Sequence, residues 1–342
     1  MQGTATTHRI GSHSGRVITL AVAAAALAAA GVSLLVDTTE SVRPVAPPRT
    51  SRAISIRTIT YRSHDDTRRE ATVVLPAEYG PKDHRPIALV ISPHGRNGTG
   101  RANAVYFGNL PAVGRFAVVS PDGKGRRLTN NSFGFEGQID DLARMPEIVT
   151  QALPWVRIDR RRIYALGSSM GGQETLLLVA RHPDLLAGAV AMDAVTDLSR
   201  RYRQMPELEC STRCLRRYGR PYGLLLQENL AREVGGTPAA SARQYDARSP
   251  LTLAKRIASS GVPLQIWWSK KDCIVKDQAH QSGALFQTLR RRGVDATVSE
   301  FVGSWRHSHE MRSTELLPIA LERLGLLPTT ASKALPKEAV IR

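Results

Sequence analysis

The chain has 342 residues, 42% hydrophobic and 23% charged, with a formal net charge of +17. That length and its Leu-, Val- and Ile-rich runs exclude global disorder, and three cysteines are too few for a disulfide scaffold. Such a basic balance suits nucleic acid, an anionic membrane or an anionic envelope polymer, but the arginines form no single long block and no nucleic-acid motif stands at its usual spacing, so the charge reads as arginine spread over a surface.

Residues 1–16 carry Arg9 and Arg16 and no acid, and Val17 to Val36 follow without a charge. The run is long enough to span a bilayer but Ala-rich, and Ala28-Ala29-Ala30 offers small residues for cleavage. Residues 1–36 are therefore expected to be a signal peptide or a retained signal anchor, and membrane attachment would run through residues 17–36. Either reading exports the rest of the chain. Residues 37–52, with Pro44, Pro47 and Pro48, have a linker composition.

From residue 53 to about 327 the pattern is that of one globular domain. ISIRTITY and ATVVLP predict a hairpin. PIALVIS (86–92), RFAVVS (115–120), RIYALG (162–167), LAGAVAMD (186–193), PLQIWWS (263–269) and TVSEFV (297–302) predict six strands buried on both faces. Helical patterns lie at 138–153, 170–181, 277–292 and 308–324. The alternation predicts an α/β fold, a mostly parallel eight-stranded sheet flanked by helices. Residues 196–259 break it, and a segment this long is expected to be a helical cap rather than a bare loop. Its Arg200, Arg201 and Arg203 either favour acidic acyl chains or are simply solvated. Cys210 and Cys214 either pair, in an oxidising compartment, or stay reduced like Cys273. The last residues, 328–342, read as a flexible tail.

Chemistry-bearing residues stand where the predicted strands end, which is where open parallel sheets collect ligands. After PIALVIS come His94, Gly95 and Arg96, and a backbone N–H of Gly95 or Arg96 there can face an oxyanion. His94 itself is expected to be a structural hydrogen-bonding residue rather than a base. The turn Ser120-Pro121-Asp122-Gly123 is read as structural. After RIYALG comes Gly167-Ser168-Ser169-Met170-Gly171, a strand, a serine between glycines, and a helix. That spacing is a nucleophile elbow, with Ser169 raised on a strained turn and the Met170 N–H aimed at a developing oxyanion. Glu174, in the same helix, is read as supporting rather than catalytic. A serine needs an orienting acid and a base. Asp272, in the loop after PLQIWWS, is the expected acid; Asp193, ending LAGAVAMD, is its rival, and Asp277 is read as a helix cap. His307 is the expected base. Ser308 is expected to cap the last helix, with Glu310 in its first turn and His309 projecting outward.

Together these four pieces resemble the α/β-hydrolase superfamily over about residues 53–326. Within it the chain looks like secreted actinobacterial proteins classed with prolyl-oligopeptidase-type serine peptidases, on GQIDDLARMP (137–146), YDARSPL (245–251) and WRHSHEM (305–311). It is also similar to esterases whose elbow reads Gly-x-Ser-Met-Gly-Gly, such as feruloyl esterases and polyhydroxybutyrate depolymerases. The resemblance implies a serine hydrolase acting on esters or peptides through Ser169, Asp272 and His307, with no metal or organic cofactor, and it gives the base role to His307 rather than His309. It departs from prolyl oligopeptidase itself in having only about 50 residues between the apolar run and the third strand, too few for a propeller. Two other readings remain at this point: peptidase as against esterase, which the same three residues serve equally, and a catalytically silent, membrane-tethered module that holds anionic polymers on its basic surface.

Overall fold

The structure, a computed structural model, describes residues 53–294, 297–312, 315–329 and 340–341. The expected signal segment (1–36) and linker (37–52) lie outside the described residues, as does most of the tail. Among the described residues no helix is long and apolar enough to cross a membrane.

The hairpin forms as β1 (Ile54–Arg62) and β2 (Arg68–Pro76), antiparallel from Ile54↔Pro76 to Arg62↔Arg68. Toward its end β1 buries Ile59 and Tyr61 and exposes the residues between and after them, the two-residue alternation of an edge strand. Then come β3 (Ile87–Ile91), β4 (Phe116–Pro121), β5 (Ile158–Ser168), β6 (Gly188–Met192), β7 (Leu264–Ser269) and β8 (Val298–Gly303). Their order in the sheet, β1-β2-β4-β3-β5-β6-β7-β8, is parallel from β4 onward. Strands β3, β4, β6 and β7 are buried at every residue because helices cover both faces, which is why they read as continuous apolar runs.

All eight expected strands form, and the sheet gains one short addition. A two-residue strand, β9 (Val340–Ile341), comes from the segment read as a loose tail and pairs antiparallel with Phe301 and Val302 of β8. Without it, β8 would present an unpaired edge there.

Three helical patterns are broken. The first splits into Glu136–Ala143 and Met145–Ala152, next to Pro146, which has no N–H for a continuous helix. The second is a short turn, Gln278–His280, followed by Ser282–Arg290. The last divides into His309–Arg312 and Leu316–Arg323.

One face of the sheet packs against Leu176–Val179 of the helix Met170–Arg181. The other packs against Leu316–Leu321, with Trp267 and Phe301 stacked at a centroid distance of 4.0 Å. Residues 196–259 form helices, among them Leu198–Gln204, Thr212–Tyr218 and Tyr222–Val234. Their apolar faces share a third cluster with Met170 and Val275, so the insertion is packed directly over the residues that follow β5 and β7. Buried Glu233 ties it down further: its carboxylate accepts the backbone N–H groups of Arg126, Arg127 and Leu128 and pairs with Arg248 at 3.2 Å. Cys210 and Cys214 are joined in a disulfide, and Cys273 is free and exposed.

Candidate active site

The last residue of β5 is Ser168, and the helix Met170–Arg181 begins two residues later. One residue must reverse the chain, and Ser169 does so at φ 60°, ψ −122°, a region that disfavours any side chain. The turn closes only because its neighbours have no side chains. A Cβ on Gly167 would stand 2.4 Å from the Gly171 carbonyl oxygen, and one on Gly171 would stand 2.2 Å from that of Pro93. The second contact fixes the elbow against the loop after β3, and Gly95 of that loop lies against Ser169. The Met170 N–H is at the first turn of a twelve-residue helix, at the positive end of its dipole.

That loop is held by His94, whose side chain is buried. Its Nδ1–H donates to the Gly95 carbonyl (2.7 Å) and its Nε2 accepts from the Gly123 N–H (2.9 Å). Both nitrogens are occupied and burial lowers the imidazole's pKa, so His94 is a neutral brace. Asp122, in the turn after β4, accepts the Gly100 N–H at 2.6 Å and is likewise structural.

Asp272 follows β7 and its carboxylate is saturated. Oδ1 accepts the Ile274 and Val275 N–H groups at 2.9 Å each; Oδ2 accepts Gln278 Nε2 at 3.1 Å and His307 Nδ1–H at 2.9 Å. The rival, Asp193, ends β6 nearby but bonds other groups: Oδ1 accepts the Ser269 N–H, and Oδ2 accepts Trp305 Nε1–H and the Ser308 N–H. It braces the chain on both sides of His307 without touching the imidazole. Asp193, Asp272 and His307 each bring one ligand-type atom within 4.8 Å of the others, yet those atoms are already engaged, and a cation would have to break the His307–Asp272 bond.

Two local expectations are corrected, those for Ser308 and Asp277, and Glu310 gains a role. Ser308 does not cap the last helix with its side chain: its hydroxyl meets that of Ser168 at 2.9 Å, because φ 55° at Ser308 turns the chain back toward the elbow. Glu310 stands in the first turn of His309–Arg312, as expected, but it does more than face the helix dipole. It is fully buried and accepts the Ser168 hydroxyl at 2.9 Å, and burial, with Asp272 nearby, pushes its pKa up to about 7. Burial and the charge of Glu310 raise Asp193 as well. Asp277 caps nothing; it sits at φ 60° and pairs with Arg200 and His280. Sequence reasoning missed the roles of Ser168, Ser308 and Glu310. Their signal was present only as polar residues immediately flanking the two ends of the site.

Ser169, Met170, Gly95, Arg96 and His307 line one cavity of about 530 Å³, and Val195, Leu198, Arg201 and Met205, at the start of the insertion, form part of its wall. Asp272 stands behind His307, outside the cavity lining. No hydrogen bond joins Ser169 Oγ to the imidazole among the described residues; in sites without substrate such bonds are often long. The arrangement supplies a strained hydroxyl, an imidazole oriented by a buried carboxylate, and backbone donors in the same space.

Residues 135–215, which contain the elbow, match the model of the prolyl oligopeptidase family. No match is found among curated proteins. Solved structures give the fold. S-formylglutathione hydrolase from Staphylococcus aureus aligns over 75% of this chain and 93% of its own at 18% identity and TM-score 0.52. Pyrococcus horikoshii acylaminoacyl peptidase aligns over 83% of this chain at 17% identity and TM-score 0.59, and this chain spans 43% of that enzyme. The esterase from Pyrobaculum calidifontis aligns over 81% of this chain and 84% of its own, at 15% identity and TM-score 0.57. The chain has the α/β-hydrolase fold, and the family match over its elbow together with the site's geometry indicates a serine hydrolase.

Proposed function

We propose that the protein is an exported serine hydrolase that cleaves acyl esters or peptide bonds through a covalent acyl-enzyme. The observation that carries this is the strained Ser169 turn facing the same cavity as His307, whose Nδ1 lies 2.9 Å from the buried Asp272 carboxylate.

In the first half-reaction His307 Nε2 takes the hydroxyl proton as Ser169 Oγ bonds to the acyl carbon. Asp272 holds the proton on Nδ1 and stabilises the imidazolium that forms. The carbonyl oxygen becomes an oxyanion against the N–H of Met170 and one from Gly95 or Arg96. The imidazolium returns its proton to the departing alcohol or amine as the C–O or C–N bond breaks. Water then repeats the sequence on the acyl-enzyme. Every group required is a side chain or backbone amide of this chain.

The cavity's size suits a small ester or a short peptide end. Esterases and peptidases both stand among the structural neighbours, and the substrate class follows neither name. Export is supported by the basic start, the uncharged run at residues 17–36 and the Cys210–Cys214 disulfide. A silent polymer-binding module would have no need for the His307–Asp272 bond or the strained serine.

A fluorophosphonate probe tests the reading. Wild-type protein should be labelled stoichiometrically and Ser169→Ala not at all. Equal labelling of the variant removes Ser169 as the nucleophile; no labelling of folded wild type removes the enzyme.

A further inference from the structure

Four arginines line the cavity, Arg96, Arg201, Arg306 and Arg312, and among the described residues no aspartate or glutamate does. Arg201 is the unusual one. It belongs to the insertion helix Leu198–Gln204 and is only 4% exposed. Its guanidinium makes no hydrogen bond or ion pair to a protein acceptor among the described residues, and its Nη1 is fully buried and unsatisfied. Arg96, near enough for its charge to act on Arg201, repeats the pattern: its guanidinium rests 5.3 Å above the Tyr222 ring, with a buried Nη1 that also lacks an acceptor.

Arg69, Arg181, Arg200 and Arg248 also bury one nitrogen without an acceptor, but each has another nitrogen bonded to a protein oxygen. Arg248, as deeply buried as Arg201, is paired with Glu233 and donates to the Ser132 carbonyl. Arg200, one residue before Arg201, is paired with Asp277, and Arg203 is exposed. A buried, unpaired cation costs several kcal/mol, and a second guanidinium beside it adds repulsion. Burial first, and then the charge of Arg96, push the Arg201 pKa down to about 10 against the longer-range attraction of Asp272, which leaves it cationic at neutral pH. A fold keeps such a pair where a ligand supplies the missing negative charge. Two planar guanidinium groups around one space suit an oxyacid, which accepts their N–H donors in pairs.

We infer that Arg96 and Arg201 form an anion subsite, so that the hydrolase accepts substrates bearing a carboxylate or phosphate group beside the scissile bond. This rests on the serine-hydrolase reading for its place in catalysis, but not for the binding itself.

The test uses the full chain, with binding and turnover measured separately. Calorimetric titration at low ionic strength with glutarate, and in a second arm with propyl phosphate, should show binding to wild type and none to Arg201→Met. The arm that binds tells carboxylate from phosphate. In turnover, the kcat/KM for 4-nitrophenyl hemiglutarate should exceed that for 4-nitrophenyl pentanoate at least tenfold. A parallel pair, 4-acetoxybenzoate against its methyl ester, places the anion on the leaving side. Arg201→Met should erase the preference, Arg201→Lys should restore part of it, and Arg201→Met should melt no lower than wild type, since a buried charge is removed.

Neither anion binding to wild type, or an anionic preference unchanged in Arg201→Met, overturns the subsite. So does a variant in which only the pH profile moves, since that would make Arg201 a tuner of Asp272. Fluorophosphonate labelling separates the two claims. Labelling without anion preference sinks the subsite alone; Arg201-dependent glutarate binding without labelling sinks the hydrolase and leaves the subsite.

Discussion

Replacing Asp272 by asparagine changes one atom and tests the orientation of the imidazole. The carboxylate's four hydrogen bonds come from donors only: two backbone N–H groups on Oδ1, and Gln278 Nε2 and His307 Nδ1–H on Oδ2. An asparagine keeps its carbonyl oxygen on the two backbone donors. Its NH₂ then faces the imidazole and Gln278, so donor meets donor at His307. The ring relieves this by carrying its proton on Nε2, the nitrogen that the proposed mechanism needs to accept from Ser169. With the wrong tautomer dominant, turnover should fall by about 10⁴, or roughly 5.5 kcal/mol of transition-state stabilisation. Fold should be kept, because the two backbone contacts persist and the Gln278 amide can turn over to accept from the new NH₂. The assay is the rate of acylation by a chromogenic ester or a fluorophosphonate at neutral pH, with circular dichroism as a check on folding. Asp193→Asn is the control: Asp193 brings an oxygen within 4.8 Å of the imidazole but bonds Trp305 and Ser308 instead, and its loss should not invert the tautomer. A loss below tenfold in folded Asp272→Asn would refute the assignment of the acid.

Gly171→Ala would drive a Cβ to within 2.2 Å of the Pro93 carbonyl, which is backbone and cannot swing away. Urea unfolding should show a cost of about 1–3 kcal/mol, and displacement of the Gly95 loop should lower kcat by about 10²–10³; wild-type kinetics in this variant would remove that loop from the oxyanion site. Glu174 is fully buried beside the Ser132 hydroxyl, and burial pushes its pKa up to about 8. A carboxylate raised in the folded state stabilises it below the unfolded value, and that contribution is lost as pH rises toward 8. Glu174→Gln should therefore match wild type near pH 4 and exceed it near pH 8.5, by on the order of 4 kcal/mol. Parallel pH dependences in urea melts would show that Glu174 ionises normally.

Much of this architecture is local information. Short apolar runs such as IALVI and LQIWWS, rich in β-branched or aromatic residues, read as strands covered on both faces, and Gly167 and Gly171 mark the turn at Ser169 because nothing larger fits there. The loops after β3, β5, β7 and β8 could be named from the chain, since each begins where a buried strand stops. Other features depended on side chains that meet only after folding. Asp193 and Asp272 look alike in sequence, and only the packing of β6 beside β7 determines that His307 bonds the second. Ser168, Ser308 and Glu310 join across about 140 residues. Arg200, Arg201 and Arg203 are indistinguishable as letters, yet one is paired, one buried without a partner and one solvated. The reason is physical: backbone geometry and hydrophobic periodicity act over a few neighbours, whereas the partner and solvent exposure of a charge are set by whatever the finished fold places around it.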